Sequence, residues 1–289
     1  MSDWRGEAEV VIIGGGVMGA STAFHLAEAG CTDIVLVEAD QLASGSTSKS
    51  AGGIRLQFSD EINIELAKRS VDAFERFHER PGADIELKQV GYLFLLTEPE
   101  HVADFEAGVA LQNAMGVPSR MLTPAEAKEL SPLIEIDDVL AASFCPRDGH
   151  VNPEMVVSGY ATAAREMGAR VVQQCPVTSI DLVGDRISTV HTAKGSIRTG
   201  TVVCAAGAWS DRIAQMVGRS LPVVPVSRPI WYTEPMPNRP EVVAMTIDFS
   251  TGFYFHSEGE GLLFGMADPD QPAGFDAPVR GDWLERTAE

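Results

Sequence analysis

The sequence predicts an α/β chain in which a doubly wound, mainly parallel sheet is interleaved with an α+β region built on an antiparallel sheet. Three observations carry this expectation. Val10 to Ile13 is an apolar, β-branched run that halts at Gly14, Gly15 and Gly16 before a helical pattern begins, the order expected of a buried parallel strand, a turn and a helix. The same style returns at Asn152-Pro153, which starts a second helix, and at Thr201 to Ala206, which reads as another buried strand. Between and after these stretches the chain changes to shorter strands richer in aromatic residues. The boundaries drawn on this pattern are 1–83 and 148–218 for the parallel region, and 84–147 and 219–289 for the other.

The first turn has the spacing GxGxxG, at Gly14, Gly16 and Gly19. Gly14 permits a tight turn, Gly16 lets the main chain approach a pyrophosphate, and Gly19 lets the helix sit close to the strand. A phosphate there meets the positive end of the helix, so no side chain is needed to hold it. Each glycine also has an ordinary backbone explanation, and the motif alone is weak. Context strengthens it: a second strand, Ile34 to Val37, ends at Glu38, nineteen residues after Gly19. A carboxylate at that place accepts the two ribose hydroxyls of an adenosine and repels a 2′-phosphate. The pair defines a dinucleotide site that disfavours NADP.

The bulk composition narrows the partners. With 289 residues, 45% hydrophobic and 22% charged, the chain has room for about two globular domains. Its formal charge of -19 argues against nucleic acid or anionic membrane as partners, because both would be repelled. Cys31, Cys145, Cys175 and Cys204 are widely spaced, with no CxxC and no Cys/His pair at ligand spacing, so they read as reduced thiols in a cytoplasmic protein, and no metal site is expected. Cys204, inside an apolar run, is expected in the core. The opening MSDWRGEAE is polar and acidic, so neither a signal peptide nor a membrane span is expected.

After Glu38, the stretch ADQLASGSTSKSAGGIRLQFS is too polar for a core element and too rich in glycine for a helix. Ser44, Ser46 and Thr47 offer hydroxyls, and Gly52 and Gly53 let the chain run close to a flat ligand, although an ordinary loop has the same composition. Arg55 sits among Ile54, Leu56 and Phe58, where a guanidinium requires a carboxylate or phosphate, from a ligand or from an internal acid. From Asp60 the periodicity is helical, with Ile62, Leu66, Ser70, Ala73, Phe74 and Phe77 on one face. Ile85 to Leu96 reads as paired strands around Gly91, and Pro99 to Met115 and Pro124 to Leu130 as helices.

Asn152 and Pro153 open a helix to about Met167, followed by strands at Val171-Val172 and Val177 to Val183, and an antiparallel ribbon from Arg186 to Thr199. Gly207, beyond the strand ending at Ala206, lies where a doubly wound sheet places ligands, although small residues there also suit helix packing. The last section gives strands at Val223 to Thr233, Val242 to Phe249, Gly252 to His256 and Leu262 to Met266. In the third, Tyr254 and His256 share one face, which could look into a pocket; for His256 a surface or hydrogen-bonded role competes with catalysis. No kinase-like phosphate loop, HExxH or GxSxG motif occurs.

Taken together, VVIIGGGVMGASTAFHLAEAG, the SGSTSKSAGGIR loop, DGHVNPEMVVSGYATAAREMGARV, TVVCAAGAWS and GFYFHSEGEGLLFG resemble, in this order, the D-amino-acid oxidase superfamily, in its branch of sarcosine oxidase and dimethylglycine dehydrogenase-like flavoproteins. The resemblance implies an FAD-binding domain over 1–83 and 148–218 and a substrate domain over 84–147 and 219–289. It implies FAD with its pyrophosphate at Gly14, Gly16, Val17, Met18 and Gly19, its ribose at Glu38, and its phosphate or flavin side at Ser46 and Thr47. Gly53, read above as lying close to a flat ligand, joins the cofactor-binding candidates. Val177 would meet the adenine through its main chain, and Ala206, Gly207 and Trp209 would flank the cofactor. Arg55 falls on the arginine that grips the substrate carboxylate in monomeric sarcosine oxidases, and Tyr254 and His256 complete the candidate catalytic set.

The departures are informative. Relatives of the dimethylglycine dehydrogenase type carry a flavinylated histidine where this chain has Lys49, and the monomeric oxidases use a C-terminal cysteine beyond this chain's length, so non-covalent FAD is expected. The oxygen-activating lysine, active-site tyrosine and histidine of the monomeric oxidases fall near Leu263, Phe255 and Ala267, which puts sarcosine itself and efficient oxygen use in doubt. The family continues past position 289 with a segment that covers the flavin, so a longer chain or a partner subunit is expected to complete the site. The implied activity is oxidation of a C–N bond in a small anionic amine, an amino acid or an N-methylated amino acid, with oxygen or another protein as electron acceptor. A 2-hydroxy-acid or glycerol-phosphate dehydrogenase and a non-catalytic flavin-binding subunit are the alternatives.

Overall fold

The computed structural model describes residues 6–288. Residues 1–5, part of the opening stretch expected to lack a signal peptide, lie outside the described residues. The chain divides into two compact units, the first comprising 1–50, 77–85 and 152–225, the second 51–76, 86–151 and 226–289. Among the described residues no helix is long and apolar enough to cross a membrane.

The first unit is built on a four-stranded, all-parallel sheet in the order Thr201–Cys204, Val10–Ile13, Ile34–Val37, Arg170–Val172. The two central strands are buried on both faces, which is why they read as unbroken β-branched runs. Val11, Ile13, Val35 and Val37 face a core shared with Ile180, Val190 and Ile197 from the antiparallel ribbon Val177–Val183, Arg186–Thr192 and Gly195–Arg198. The alternate residues Ile12, Ile34 and Leu36, also fully buried, face the other way, towards the helix Val17–Glu28. That helix packs on Pro153–Glu166, where Asn152 caps the first turn by accepting from the Glu154 and Met155 amides. Tyr160 joins the pair, its ring 5.2 Å from Phe24 and 4.7 Å from Phe77.

The second unit carries a seven-stranded sheet in the order Trp231–Tyr232, Gly261–Gly265, Tyr254–Glu258, Met245–Asp248, Tyr92–Leu96, Ala141–Cys145, Arg120–Leu122. Every pairing is antiparallel except that of Met245–Asp248 with Tyr92–Leu96. Because side chains alternate along a strand, Leu93, Leu95, Ala142, Phe144 and Phe255 form one core, and Tyr92, Phe94, Leu96, Met245 and Tyr254 another. A two-residue strand, Gly53–Ile54, pairs with Gly149–His150. The helices are Glu61–Glu75, capped by Asp60, then Pro99–Ala114, Pro124–Leu130 and Gly281–Ala288.

Several sequence expectations are corrected. In Glu61–Glu75 the buried positions are Ile64 and Val71, while Ile62 and Leu66 are 74% and 57% exposed, so the helix presents a different, narrower edge to the core. Residues 85–91 form no strand: Lys88 makes an isolated bridge to His150, a partner strand only two residues long, and Gly91 follows with φ +79°. The run Val223 to Thr233 is reduced to Trp231–Tyr232, because Pro225 and Pro229 supply no amide for a ladder. Thr201–Cys204 is not buried but an exposed sheet edge, which puts Cys204 at the surface instead of in the core.

The corrected helix face yields a direct test. Ile64→Ala should cost about 2–5 kcal/mol in denaturant unfolding, whereas Ile62→Ser should stay within about 0.5 kcal/mol. Equal losses at the two positions would contradict the assigned face.

Candidate functional site

In the first unit, the turn leaving Val10–Ile13 is possible only without side chains. Gly14 has φ +114°, and a Cβ there would lie 2.4 Å from the carbonyl oxygen of Ala205; a Cβ on Gly19 would lie 1.9 Å from the carbonyl oxygen of Gly14. These contacts fold the helix start back onto the strand end. The Gly14 amide donates to Val37 O at 2.9 Å and the Ala205 amide to Ile13 O at 2.8 Å, so the carboxyl ends of all three neighbouring strands converge on the turn. Ala206 and Gly207, the latter with φ +52°, follow directly, and a short 3-10 helix, Gly207–Trp209, brings Trp209 against Gly45.

The helix start is prepared for an anion. Gly16 is its N-cap, no side chain caps it, and no acidic residue lies in its first turn. The Val17 amide donates to Thr47 Oγ1 at 3.2 Å, while the amides of Gly16 and Met18 find no acceptor among the described residues. Unpaired amides at a helix N-terminus, close to a main chain without Cβ atoms, suit a diphosphate. Met18 is exposed, as are Ser46 and Lys49 in the neighbouring loop.

Glu38 ends the second strand, where its Oε2 accepts from the Gly15 amide at 2.6 Å and its Oε1 from the Asp40 amide at 2.9 Å. One lone pair per oxygen is thereby oriented, and the others remain for hydroxyl donors such as those of a ribose. The Gln174 and Cys175 amides donate to Asp40 O and Glu38 O, at 2.7 and 2.8 Å, which brings the start of Val177–Val183 beside Glu38. Sequence reasoning missed Gly15, where a Cβ would meet Leu42 and Glu38, and Gln173, whose Oε1 accepts from the Leu42 amide. The run of three glycines, with Gly15 in the middle, was the available signal for Gly15; Gln173 had none.

In the second unit, the Arg55 guanidinium lies over the rings of Phe58, at 4.3 Å, and Phe94, at 5.6 Å. Among the described residues no carboxylate forms an ion pair with it. Phe94 belongs to the cluster that holds Tyr92, Tyr254 and Ala51, so the fold brings Arg55 and Tyr254 to one face of the sheet. Burial pushes the Tyr254 phenol up. Gly53 approaches Tyr92 so closely that a Cβ would lie 1.9 Å from its hydroxyl.

His256 is fully buried beneath this face, with Nε2 3.1 Å from Ala51 O and Nδ1 2.9 Å from Ser257 O. Burial pushes its pKa down, and as a neutral ring it has one N–H to share between two carbonyl oxygens. His150 stacks on it, with ring centroids 4.3 Å apart, and burial lowers His150 to about 3. Exposed Glu258 approaches the pair, but both His256 nitrogens already face carbonyls, so the cluster offers poor cation ligands. Sequence reasoning also gave no role to Gln57 and Asp148, polar residues buried beside Arg55, although Asp148 opens the DGHVNPEMVVSGYATAAREMGARV stretch quoted above.

With this geometry in view, comparison with known proteins identifies the class: the chain belongs to the DAO family of FAD-dependent oxidoreductases, whose profile matches residues 9–288. It is 35% identical over 270 residues to mitochondrial dimethylglycine dehydrogenase of Rattus norvegicus, covering 91% of this chain and 31% of that one. It is 33% identical over 267 residues to mitochondrial sarcosine dehydrogenase of Homo sapiens, covering 89% and 29% respectively. The crystal structure of L-proline dehydrogenase from P. horikoshii matches 98% of this chain and 75% of that one, with a TM-score of 0.91 and 34% identity. The chain therefore spans about a third of the length of these two relatives. The family implies FAD, and the turn described above fits its diphosphate and ribose.

His150 predicts a pH dependence. Native His150 stays neutral to about pH 3, whereas the unfolded chain takes up its proton near the ordinary value, so the protein should lose stability as pH falls from about 6.5 towards 3. The difference between wild type and His150→Phe, followed by chemical unfolding, should grow by about 3–5 kcal/mol across that window; parallel curves would contradict a neutral buried ring.

Proposed function

We propose that the chain is the FAD-binding and substrate-binding part of an oxidoreductase that oxidises the C–N bond of an amino acid or an N-methylated amino acid. Its FAD is non-covalent, since Lys49 occupies the place where the resemblance puts a flavinylated histidine. Dimethylglycine, sarcosine and proline, the compounds named for the relatives, share a carboxylate on the carbon next to a secondary or tertiary nitrogen. A residue that accepts all three must therefore read the carboxylate rather than the alkyl groups.

The observation that carries this reading is the Arg55 guanidinium, held over Phe58 and Phe94 with no acidic partner among the described residues. Two parallel N–H donors on a carboxylate fix both its position and its orientation, and apolar surroundings strengthen the pair. Tyr254 lends a hydroxyl on the same face, and His256 acts as a positioning residue through the Ala51 carbonyl. When bound, FAD would supply the electron sink for removal of a hydride from the C–H beside nitrogen, and water would hydrolyse the imine so released. The protein orients and desolvates; it supplies no nucleophile. Glu38 selects the adenosine ribose, and Ala206, Gly207 and Trp209 border the cofactor. The acceptor of the electrons is oxygen or another protein, and the likeness to a sarcosine oxidase subunit beta supports a partner subunit.

Anaerobic bleaching of the flavin absorbance should occur with dimethylglycine, sarcosine or proline, and not with lactate or glycerol phosphate. In Arg55→Ala, KM for the bleaching amino acid should rise by roughly 100-fold or more, the loss of a charge-assisted pair, with FAD content retained. Bleaching by hydroxy acids alone, or an unchanged KM in the variant, would overturn the assignment.

A further inference from the structure

Arg55 has a long side chain with many rotamers, and an arginine that reads a carboxylate must have a fixed root. The structure assigns that function to Asp148: we propose that it is a positioning residue, whose buried carboxylate clamps the main chain directly after Arg55 and so presents the guanidinium to the substrate. The inference rests on the reading of Arg55 given above and deepens it.

The clamp is continuous from the middle of the sheet to the segment that bears Arg55. Asp148 has no exposed surface. Its Oδ1 accepts from the Leu56 amide at 2.8 Å, and its Oδ2 from Gln57 Nε2 at 3.0 Å. Gln57 Nε2 also donates to Tyr92 O at 3.0 Å, and Gln57 Oε1 accepts from Ser143 Oγ at 2.6 Å, which ties residue 57 to two adjacent interior strands. The Gly91 amide donates to Asp148 O, and the Asp148 amide to Cys145 O, so the acid itself is held at its own main chain. Every acceptor in this network faces a donor, which defines the orientation of the Gln57 amide and leaves no slack between the sheet and Leu56.

The electrostatics agree with the geometry. The titratable groups that face Asp148 are Arg55, Tyr92 and Cys145. Burial pushes the Tyr92 phenol up and the Cys145 thiol to about 12, so both are neutral near pH 7. Asp148 is raised to about 6 by burial, against the pull of its hydrogen bonds and of the Arg55 charge. Near neutral pH it is therefore a buried anion, a state that costs folding free energy and that a leucine at the same place would avoid. Protonation turns one acceptor oxygen into a donor that faces Leu56 N–H or Gln57 Nε2, so the clamp loses a bond.

The test uses the flavin-loaded protein, with acetate as a carboxylate probe read by the shift it causes in the flavin spectrum. For the wild type, the acetate Kd should rise severalfold as pH falls through about 6, a range in which acetate remains an anion. In Asp148→Asn the Kd should be about tenfold higher at pH 7.5 and the step near pH 6 should vanish; Gln57→Met should give a smaller rise and keep the step. In the Arg55→Ala background, Asp148→Asn should add nothing, since its effect passes through Arg55. A wild-type profile without the step, or an Asp148→Asn loss of the same size with and without Arg55, overturns the proposal, and the profile needs no variant that folds. An acetate Kd untouched by Arg55→Ala instead removes the reading of Arg55 itself.

Discussion

The contact between Gly19 and the carbonyl of Gly14 is the constraint on which the first unit depends. Because no Cβ stands between them, the helix Val17–Glu28 can begin where the strand Val10–Ile13 ends, and its first amides point at the space beyond the carboxyl ends of the strands. The remaining features follow from that placement. Glu38 lies at the end of the adjacent strand with each oxygen anchored by one amide, Thr47 takes the Val17 amide, and Ala205 to Gly207 close the turn from the other side. The amides of Gly16 and Met18, unpaired among the described residues, suit a diphosphate.

The second unit solves the opposite problem, that of holding polar groups inside an apolar sheet. Around Arg55 its buried polar residues are wired rather than isolated: Asp148, Gln57 and Ser143 satisfy one another and the main chain around Leu56, and elsewhere in the sheet Thr246 donates to main chain or hydroxyl partners close by. Arg55 differs, since its cation rests on aromatic faces and, among the described residues, forms no ion pair, Asp148 being engaged by Leu56 and Gln57 instead. In the proposed reading, that guanidinium receives the carboxylate of the substrate.

Much of this was legible in the sequence because the physics is local. A β-branched run, a glycine turn and an acid at the next strand's end are specified by neighbours in the chain, so Gly14, Gly16, Gly19 and Glu38 could be assigned directly, as could the Asn152 cap. Arg55 stood out because charge among apolar neighbours is costly. What stayed hidden depends on residues far apart in sequence: Asp148 reaches Leu56 across 92 positions, and Gln173 reaches Leu42 across 131. Edge and centre of a sheet look alike in a four-residue apolar run, which is how Cys204 was misplaced. The prolines at 225 and 229 did carry a warning, and a strand drawn through them ignored the missing amides.

The most direct measurement of the account is a comparison of FAD with riboflavin, which has the same ring but neither diphosphate nor adenosine, in a fluorescence-quenching titration of the flavin-free protein. If the glycine turn and Glu38 form the seat described here, FAD binds stoichiometrically at concentrations where riboflavin does not bind. Equal affinity for the two would show that the turn contributes nothing to holding the cofactor, and would contradict the assignment at its base.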